Sequence, residues 1–513
     1  MPTRPEPVVF AIGPEIDDKR LARWLPGLAP AGPSRVSDRV LFDTFDGRLA
    51  RKDMVLWRRF GRGGGSFELE GHPGALTVEG PDRPFLGADL PAGAIGDRLR
   101  DAIAERALLP RVRVRSRFTP LKLCDGEGKT VVRLLIDEPE VLERGRTPVV
   151  LERRLHVQPV LGYDRELERA LSSLRHRLAE CEGTLPAEAL RSVGLEPDGQ
   201  TSNVDVRLKP SMRADRATSM ICRRLADVVD ANLQGTIDDT DPEFLHDLRV
   251  AVRRSRSVLK EMRNVLPPSE TGTARADLRW IQEITGPTRD LDVLLMSWPE
   301  MVEPVPPRMA GDLQPLVDLL HRERTDAFTA MRRHLRSRRF ADAWQRWKAT
   351  VSESAFDGSD SGRAIGELAG GRIVAVYKGM VKMGSAIDDS SPPEALHDLR
   401  KKGKELRYLL ELFGSMWPSD RVKPLVGALK GLQDVLGHFQ DDEIQVHELR
   451  SLGPILAGTP GGTDSLIALG FVVEGLARRQ QHARDDFARR FADFAAPDNR
   501  KLVSSTFAVR VAS

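Results

Sequence analysis

The sequence has few cysteines, few aromatic residues and no long apolar run. Its three cysteines, Cys124, Cys181 and Cys222, lie far apart and form no CxxC pair. This argues against a disulfide framework or a thiolate zinc site and favours a reducing compartment. No stretch of about 18 uncharged apolar residues occurs, so we expect no membrane-spanning segment and no membrane partner. The N-terminus also lacks a basic start followed by an apolar segment, which predicts a cytoplasmic protein.

The chain also lacks a large excess of either charge. Lysine and arginine number 78 against 75 acidic residues, and the formal net charge of the 513 residues is +3. A site for a polyanion must therefore come from local clusters of cations rather than from an overall basic charge. A chain of this length allows two to four domains, at roughly 100 to 200 residues per domain.

Two different patterns divide the chain. Residues 1–182 carry frequent Gly and Pro with short β-type runs and predict a β-rich first domain. Residues 183–209 mix Pro, Gly and polar residues and predict a linker. Residues 210–490 follow helical periodicity, and residues 491–513 are expected to form a C-terminal tail. The predicted fold class is therefore an α+β multidomain protein with an all-α C-terminal domain.

An internal repeat is the most informative feature of the helical part. The segment PExLHDLR at residues 242–249 recurs at residues 393–400, an offset of 151. The same offset relates Leu278, Gln282, Gly286 and Asp290 to Leu429, Gln433, Gly437 and Asp441. A gapless register across roughly fifty residues indicates two copies of one structural unit. We predict two helical bundles, at about 210–350 and 361–490, related by pseudo-twofold symmetry.

Each copy carries a cationic stripe along one predicted helix. At about 100° per residue, positions 3, 7 and 10 after the histidine fall within a sector of about 80°. The stripes consist of His246, Arg249, Arg253 and Arg256 in the first copy and of His397, Arg400, Lys404 and Arg407 in the second. A solvated helix face is the alternative interpretation. However, the stripes contain no acid, and like charges three or four residues apart repel each other, so we favour an anion-binding role.

The two histidines lie in the first turn of their helices. The helix N-terminus favours anions, and an imidazole can donate a hydrogen bond to a phosphate oxygen. A packed or capping histidine is the alternative. Neither histidine has a His, Cys or Glu partner at metal-ligand spacing, so we expect no metal site and no cofactor.

These motifs resemble the two halves of the CHAD domain, the conserved histidine α-helical domain. The resemblance is carried by LHDLRVAVRRSRSVL and LRWIQEITGPTRDLDVL in the first copy and by LHDLRKKGKELRYLLELF and LKGLQDVLGHFQDDEI in the second. It covers residues 210–490. The resemblance implies two up-and-down helical bundles around a basic central channel, binding of inorganic polyphosphate, and localisation at polyphosphate granules.

The resemblance also implies which residues bind polyphosphate. These are His246, Arg249, Arg253, Arg256, Arg279, His397, Arg400, Lys404, Arg407 and Lys430. Arg324 and Arg479, on later helices, join them on a looser alignment. We expect Asp290 and Asp441 to cap or orient a helix start. Pro287 stands where the second copy has His438, so the first copy departs mildly from the pattern in the loop expected after Gly286.

The N-terminal part resembles the CYTH domain, a β-tunnel triphosphatase that often precedes a CHAD domain. Residues 41–59 carry the resemblance, with matching positions at Asp43, Thr44, Leu49 and Arg58. The metal-binding ExExK signature of that family is replaced by Val8, Phe10 and Ile12, and a family lysine is replaced by Glu79. Apolar side chains cannot ligate Mg²⁺. We therefore predict a degenerate CYTH-like domain with no catalytic residues, although Arg113, Arg115 and Arg117 share one face of a strand and could bind an anion.

The leading interpretation is a non-enzymatic protein that holds inorganic polyphosphate in its helical domain, while the first domain binds a protein partner or targets the chain. A CYTH-type triphosphatase is the first alternative, but it needs carboxylates that the first strand lacks. Nucleic-acid binding is the second, since basic helices also neutralise nucleic acids. Only 5% of residues are aromatic, so we do not expect a nucleic-acid partner. A helical scaffold with solubilising charges is the third.

Overall fold

The computed structural model describes residues 8–61, 64–72, 74–78, 83–200, 202, 204, 206–262, 264–352 and 358–507. The chain divides into two units, residues 1–201 and residues 202–513. Within the described residues the first unit is rich in antiparallel sheet and the second is helical. The predicted fold class is confirmed at this level.

Nine strands of the described chain form one antiparallel sheet in the first unit. They are β1 (Val8–Ile12), β2 (Leu28–Pro30), β3 (Arg35–Thr44), β4 (Leu56–Gly61), β5 (Gly64–Leu69), β6 (Leu108–Cys124), β7 (Thr130–Leu142), β8 (Val149–Val150) and β9 (Arg153–Pro159). The strand order is β1-β9-β7-β6-β3-β4-β5, with β2 paired to β6 and β8 paired to β7. Because side chains alternate between the two faces, each strand contributes to two separate layers.

Four helices accompany the sheet: α1 (Asp18–Trp24), α2 (Ala94–Ile103), α3 (Asp164–Arg175) and α4 (Leu185–Ser192). Helices α1, α2 and α3 pack on one face. Helix α4 packs Ala189 and Leu190 on the other face, against Trp57 and Val114. This helix lies within the stretch predicted as a linker, and the prediction is wrong there. Two apolar anchors in eight residues are too few to show a helical period.

The apolar first strand belongs to the core rather than to a polar face. Phe10 and Ile12 are buried beneath α1 and α3. The alternation of side chains directs Val9 and Ala11 to the opposite face, beside His156 and Arg154 of β9. Val9 and Ala11, rather than Phe10 and Ile12, therefore stand next to the polar side chains of β9. Glu79 lies outside the described residues.

The three arginines of β6 are balanced by acids on the neighbouring strands. Arg113 and Arg115 both donate to Asp38 of β3, at 2.7 and 2.8 Å. Glu140 of β7 lies 3.7 Å from Arg115, and Glu138 is the cross-strand neighbour of Arg117. An anion would therefore have to compete with these carboxylates for the three arginines. The sequence of β6 alone does not show this competition.

Twelve helices are described in the second unit. They are α5 (Ala214–Ile237), α6 (Pro242–Glu261), α7 (Pro268–Ile284), α8 (Gly286–Met301), α9 (Gln314–Leu335), α10 (Arg338–Ser352), α11 (Ile365–Gly384), α12 (Pro393–Phe413), α13 (Ser419–Ser451), α14 (Gly453–Ala457), α15 (Gly462–Phe494) and α16 (Pro497–Phe507). No helix in the described part of the chain has both the length and the apolar character needed to cross a membrane.

The repeat seen in the sequence is visible in the helix boundaries. Helices α11, α12 and α13 begin 151 residues after α5, α6 and α7, respectively. The copies share their packing, because the two hydrophobic clusters of this unit both draw residues from each copy. Helix α16 also joins the core through Val503 and Phe507. Residues 491–507 are therefore part of the helical unit, and the predicted tail differs from the structure there.

Candidate functional site

Helices α6 and α12 begin at the prolines that open the repeated motif. Asp241 caps α6, because its Oδ1 accepts hydrogen bonds from the backbone N–H groups of Glu243 (3.0 Å) and Phe244 (3.2 Å). Proline is tolerated in the first turn, where its missing N–H has no helical partner. The apolar stripe of α6 is buried in the core and consists of Leu245, Leu248, Val252 and Leu259. This burial places the cationic stripe at the boundary between core and solvent.

The two stripes meet at a cleft of about 310 Å³ between α6, α12 and α13. We call it the α6–α12 cleft. Its basic lining is His246, Arg253, Arg254, Arg400, Lys404 and Arg407, and its acidic lining is Asp247, Glu411 and Asp434. Five of the ten ligand residues implied by the resemblance are thus brought together, two from the first copy and three from the second.

Lys404 is the most perturbed of these cations. Burial, together with the neighbouring charges of Arg400 and Arg253, lowers its pKa from 10.5 to about 8. The Arg253 guanidinium lies 5.8 Å from the centre of the Tyr408 ring. Among the described residues, neither Lys404 nor Arg253 forms an ion pair with an acid. The cleft therefore holds repelling cations that a bound anion would stabilise.

Arg249 and Arg400 occupy equivalent positions of the repeat but have different surroundings. Arg249 Nη1 donates to the carbonyl oxygen of Gln282 (2.8 Å) and to Thr285 Oγ1 (2.9 Å). Burial lowers its pKa to about 10. Arg400 instead donates to Asp441 Oδ1 (2.8 Å) and lines the cleft. Arg249 does not line it, which differs from the prediction.

A helix break explains this difference. Pro287 has no backbone N–H for the carbonyl of Glu283, so α7 ends at Ile284 and α8 begins at Gly286. The carbonyl of Gln282 lies in the last turn of α7, where helix carbonyls lack an intrahelical partner, and it accepts from Arg249. His438 permits α13 to continue unbroken for 33 residues through the equivalent position. The copies therefore differ here by a break between two helices, and α8 begins at Gly286 where a loop was expected.

Four other implied ligand residues lie away from the cleft. Burial and the nearby charge of Arg279 lower the pKa of Arg256, so these two arginines form a separate cationic group between α6 and α7. Lys430 is exposed on α13. His397 does not line the cleft, and burial followed by the charge of Lys401 lowers its pKa.

Arg324 and Arg479 are both paired with buried carboxylates. Arg324 Nε lies 2.9 Å from Asp292 Oδ1, and its Nη2 lies 2.5 Å from Asp239 Oδ1. Arg479 Nη2 lies 2.5 Å from Asp442 Oδ1. These contacts neutralise both arginines and link their helices. The prediction that the two arginines join the ligand set is therefore not supported by their contacts.

Asp290 and Asp441 act on arginines rather than on helix starts. Asp441 lies inside α13, where no helix begins, and pairs with Arg400. Asp290 interacts with Arg249, whose positive charge opposes the rise in the pKa of Asp290 that burial causes. The prediction of a capping role is wrong for Asp441, because the second copy has no helix break.

Sequence reasoning missed a carboxylate that joins the two copies across the cleft. Glu411 Oε2 accepts from Arg254 Nη2 and its Oε1 accepts from Arg407 Nε, both at 2.6 Å. The Arg407 contact is an i,i+4 pair that the sequence could have shown. The Arg254 contact joins residues 157 apart in the chain and could not be found without the fold.

Part of the helical unit matches a known protein family. The family model of the CHAD domain matches residues 220–450. The uncharacterized protein Rv2226 of Mycobacterium tuberculosis (strain H37Rv) is 23% identical over a 458-residue alignment that covers 84% of this chain and 85% of that protein. The CHAD domain from the plant Ricinus communis superposes with a TM-score of 0.49 at 24% identity, covering 57% of this chain and 96% of that one. PptA from Streptomyces chartreusis gives a TM-score of 0.44 at 15% identity, covering 55% and 99%.

Proposed function

Because the chain contains a CHAD domain, we propose that its helical unit binds inorganic polyphosphate, without catalysis, in the α6–α12 cleft. The observation that carries the proposal is the meeting of cations from both copies of the repeat in one cleft. Two of these cations, Arg253 and Lys404, form no ion pair with an acid among the described residues.

The charge balance of the cleft favours a ligand with several negative charges. Five arginine and lysine side chains, one histidine and three acids line it, and Glu411 already occupies two of the arginines. A single small anion can contact only part of this lining. A linear polyanion can contact both stripes, and each added contact then becomes intramolecular. Charge-assisted hydrogen bonds from arginine and lysine suit phosphate oxygens.

We propose no catalytic role for the first unit. The face of β1 beside His156 and Arg154 presents Val9 and Ala11, which offer no ligand for a hard cation. On this proposal the protein lies in the cytoplasm at polyphosphate granules, and its sheet unit remains available to a protein partner. Purified protein should release no phosphate from triphosphate in the presence of Mg²⁺, and turnover that copurifies with the chain would contradict this part.

A titration with three ligands at matched salt tests the binding function. Fluorescence anisotropy should show tight binding of long-chain polyphosphate, weaker binding of triphosphate and weaker binding of single-stranded DNA. The affinity for polyphosphate should fall as salt rises, because binding releases counterions. Equal affinity for triphosphate and long chains, or for DNA of equal charge, would contradict the proposal.

A further inference from the structure

A second basic pocket of about 520 Å³ lies on the helical unit, outside the α6–α12 cleft. It is formed by α5, by α10 and by the chain that precedes α5, and we call it the α5–α10 pocket. Its charged lining consists of Arg207, Arg223, Arg224, Lys348 and Asp227. Four cations therefore face a single acid, and none of them belongs to the cationic stripes.

Two of these cations are available for a ligand. Arg207 and Arg223 are exposed, and neither forms a hydrogen bond or an ion pair with another described residue. Lys348 differs, because its Nζ lies 3.3 Å from Asp230 Oδ2. Asp230 is in turn fixed by Trp344, whose Nε1 donates to its Oδ1 at 2.6 Å. The uncompensated charge of the pocket is thus concentrated on Arg207 and Arg223.

The repeat shows that the fold does not require these cations. At the offset of 151, Gly358, Val374 and Ala375 stand in place of Arg207, Arg223 and Arg224. Helix α11 forms at the position equivalent to α5 without them. By contrast, the cationic stripe recurs in both copies. The cations of the α5–α10 pocket are therefore a property of the first copy alone.

The α5–α10 pocket lies close to the cleft along the chain. Ser202 lines the cleft and accepts a hydrogen bond from Arg254 through its carbonyl, while Val206 lines the α5–α10 pocket. Four residues span at most about 14 Å even when fully extended. One linear ligand can therefore reach both sites without a change in the fold.

We propose that the α5–α10 pocket is a second subsite, which binds the continuation of a polyphosphate chain held in the α6–α12 cleft. This inference rests on the proposed function. Arg207 and Arg223 contact the phosphate units that emerge from the cleft. Since the second contact is intramolecular, it raises the affinity for long chains and leaves the affinity for short chains unchanged.

Binding of size-fractionated polyphosphates to the full chain tests this inference. The wild-type affinity should rise in two steps with chain length, the first from the cleft and the second from the α5–α10 pocket. Arg207→Ala with Arg223→Ala should abolish the second step, lowering the affinity for long chains at least about fivefold and the salt slope by about 2. A matched control is Arg322→Ala with Arg338→Ala, two exposed arginines that line neither site.

The outcomes separate the inference from the function on which it rests. Long-chain affinity unchanged in the R207A/R223A variant, or lowered equally for short and long chains, would overturn the second subsite while polyphosphate binding stands. A loss that appears with single-stranded DNA but not with polyphosphate would also overturn it. Wild-type protein that binds no chain of any length would refute the proposed function itself. Melting temperatures equal to wild type confirm that the variants are folded.

Discussion

The two copies of the repeat carry the same cationic stripe but use it differently. In the first copy Arg249 donates to a carbonyl in the last turn of α7, which ends at Ile284, and does not line the cleft. In the second copy the unbroken α13 leaves Arg400 in the cleft beside Lys404. This difference shows that the type of side chain alone does not determine the role of an arginine. The termination of a neighbouring helix decides whether an arginine supports the fold or faces a ligand.

The largest expected effect concerns the hydrophobic core that the two copies share. Leu248 and its equivalent Leu399 are both fully buried in the same hydrophobic cluster. Leu248→Ala and Leu399→Ala should each lower the free energy of unfolding by about 2 to 5 kcal/mol, because each leaves a cavity. Urea denaturation followed by circular dichroism measures this. A large loss in one copy with none in the other would contradict equivalent packing.

The next effect concerns the two cleft cations that form no ion pair within the described part of the chain. Arg253→Ala with Lys404→Ala should lower polyphosphate affinity at least about tenfold, since each charge-assisted hydrogen bond contributes about 1.5 to 3 kcal/mol. The melting temperature should hardly change, because these substitutions relieve repulsion between cations. Arg421→Ala with Lys423→Ala, exposed on α13, is the control and should retain binding. Intact binding in the first variant would remove the cleft from the ligand site.

A direct contrast between the copies compares Arg249→Gln with Arg400→Gln. Arg249→Gln should lower the free energy of unfolding by about 1.5 to 3 kcal/mol and leave binding almost unchanged, because that guanidinium bonds the end of α7. Arg400→Gln should weaken polyphosphate binding and leave stability almost unchanged, since its partner Asp441 is 55% exposed. Calorimetry and binding titrations measure both effects, and equal changes in the two variants would contradict the role of the helix break.

The smallest effect is a pH dependence. The pKa of Lys404 is about 8, so the free protein loses this charge as the pH rises from 7 to about 9, and polyphosphate affinity should fall by less than about tenfold. Lys404→Arg should remove this dependence, because arginine stays charged. Stability should change in the opposite direction. Between pH 8 and 10.5 the unfolded chain binds more protons at this lysine, so stability rises with pH.

The sequence predicted the features that depend on periodicity. The repeat offset, the helix starts at Pro242 and Pro393, and the side of α6 that faces the core all follow from spacing, and the structure has them. The motif around Asp43 also has a local physical basis, since this buried carboxylate accepts backbone N–H bonds from Thr44 (2.6 Å), Leu49 (2.9 Å) and Ala50 (3.0 Å). Such contacts join residues that are close in the chain, so a short sequence motif can reveal them.

The sequence could not predict contacts between distant elements. The sequence places Arg324 among the ligand candidates. In the structure it pairs with Asp239 and Asp292, which lie 85 and 32 residues away along the chain. Helix α4 could not be predicted because its two buried residues show no helical period, and only their packing against the sheet explains their position. Pairing of charges across helices is set by how the helices pack, and one sequence without relatives carries no record of that packing.

The shared core has a consequence for how the helical unit unfolds. Both of its hydrophobic clusters combine residues of the two copies, and Arg254 and Glu411 join the copies across the cleft. Cutting the chain between the copies would leave each fragment with apolar surface that its partner normally covers. The unit should therefore melt in a single cooperative transition, and neither half should fold alone. Two repeats in the sequence thus correspond to one thermodynamic domain.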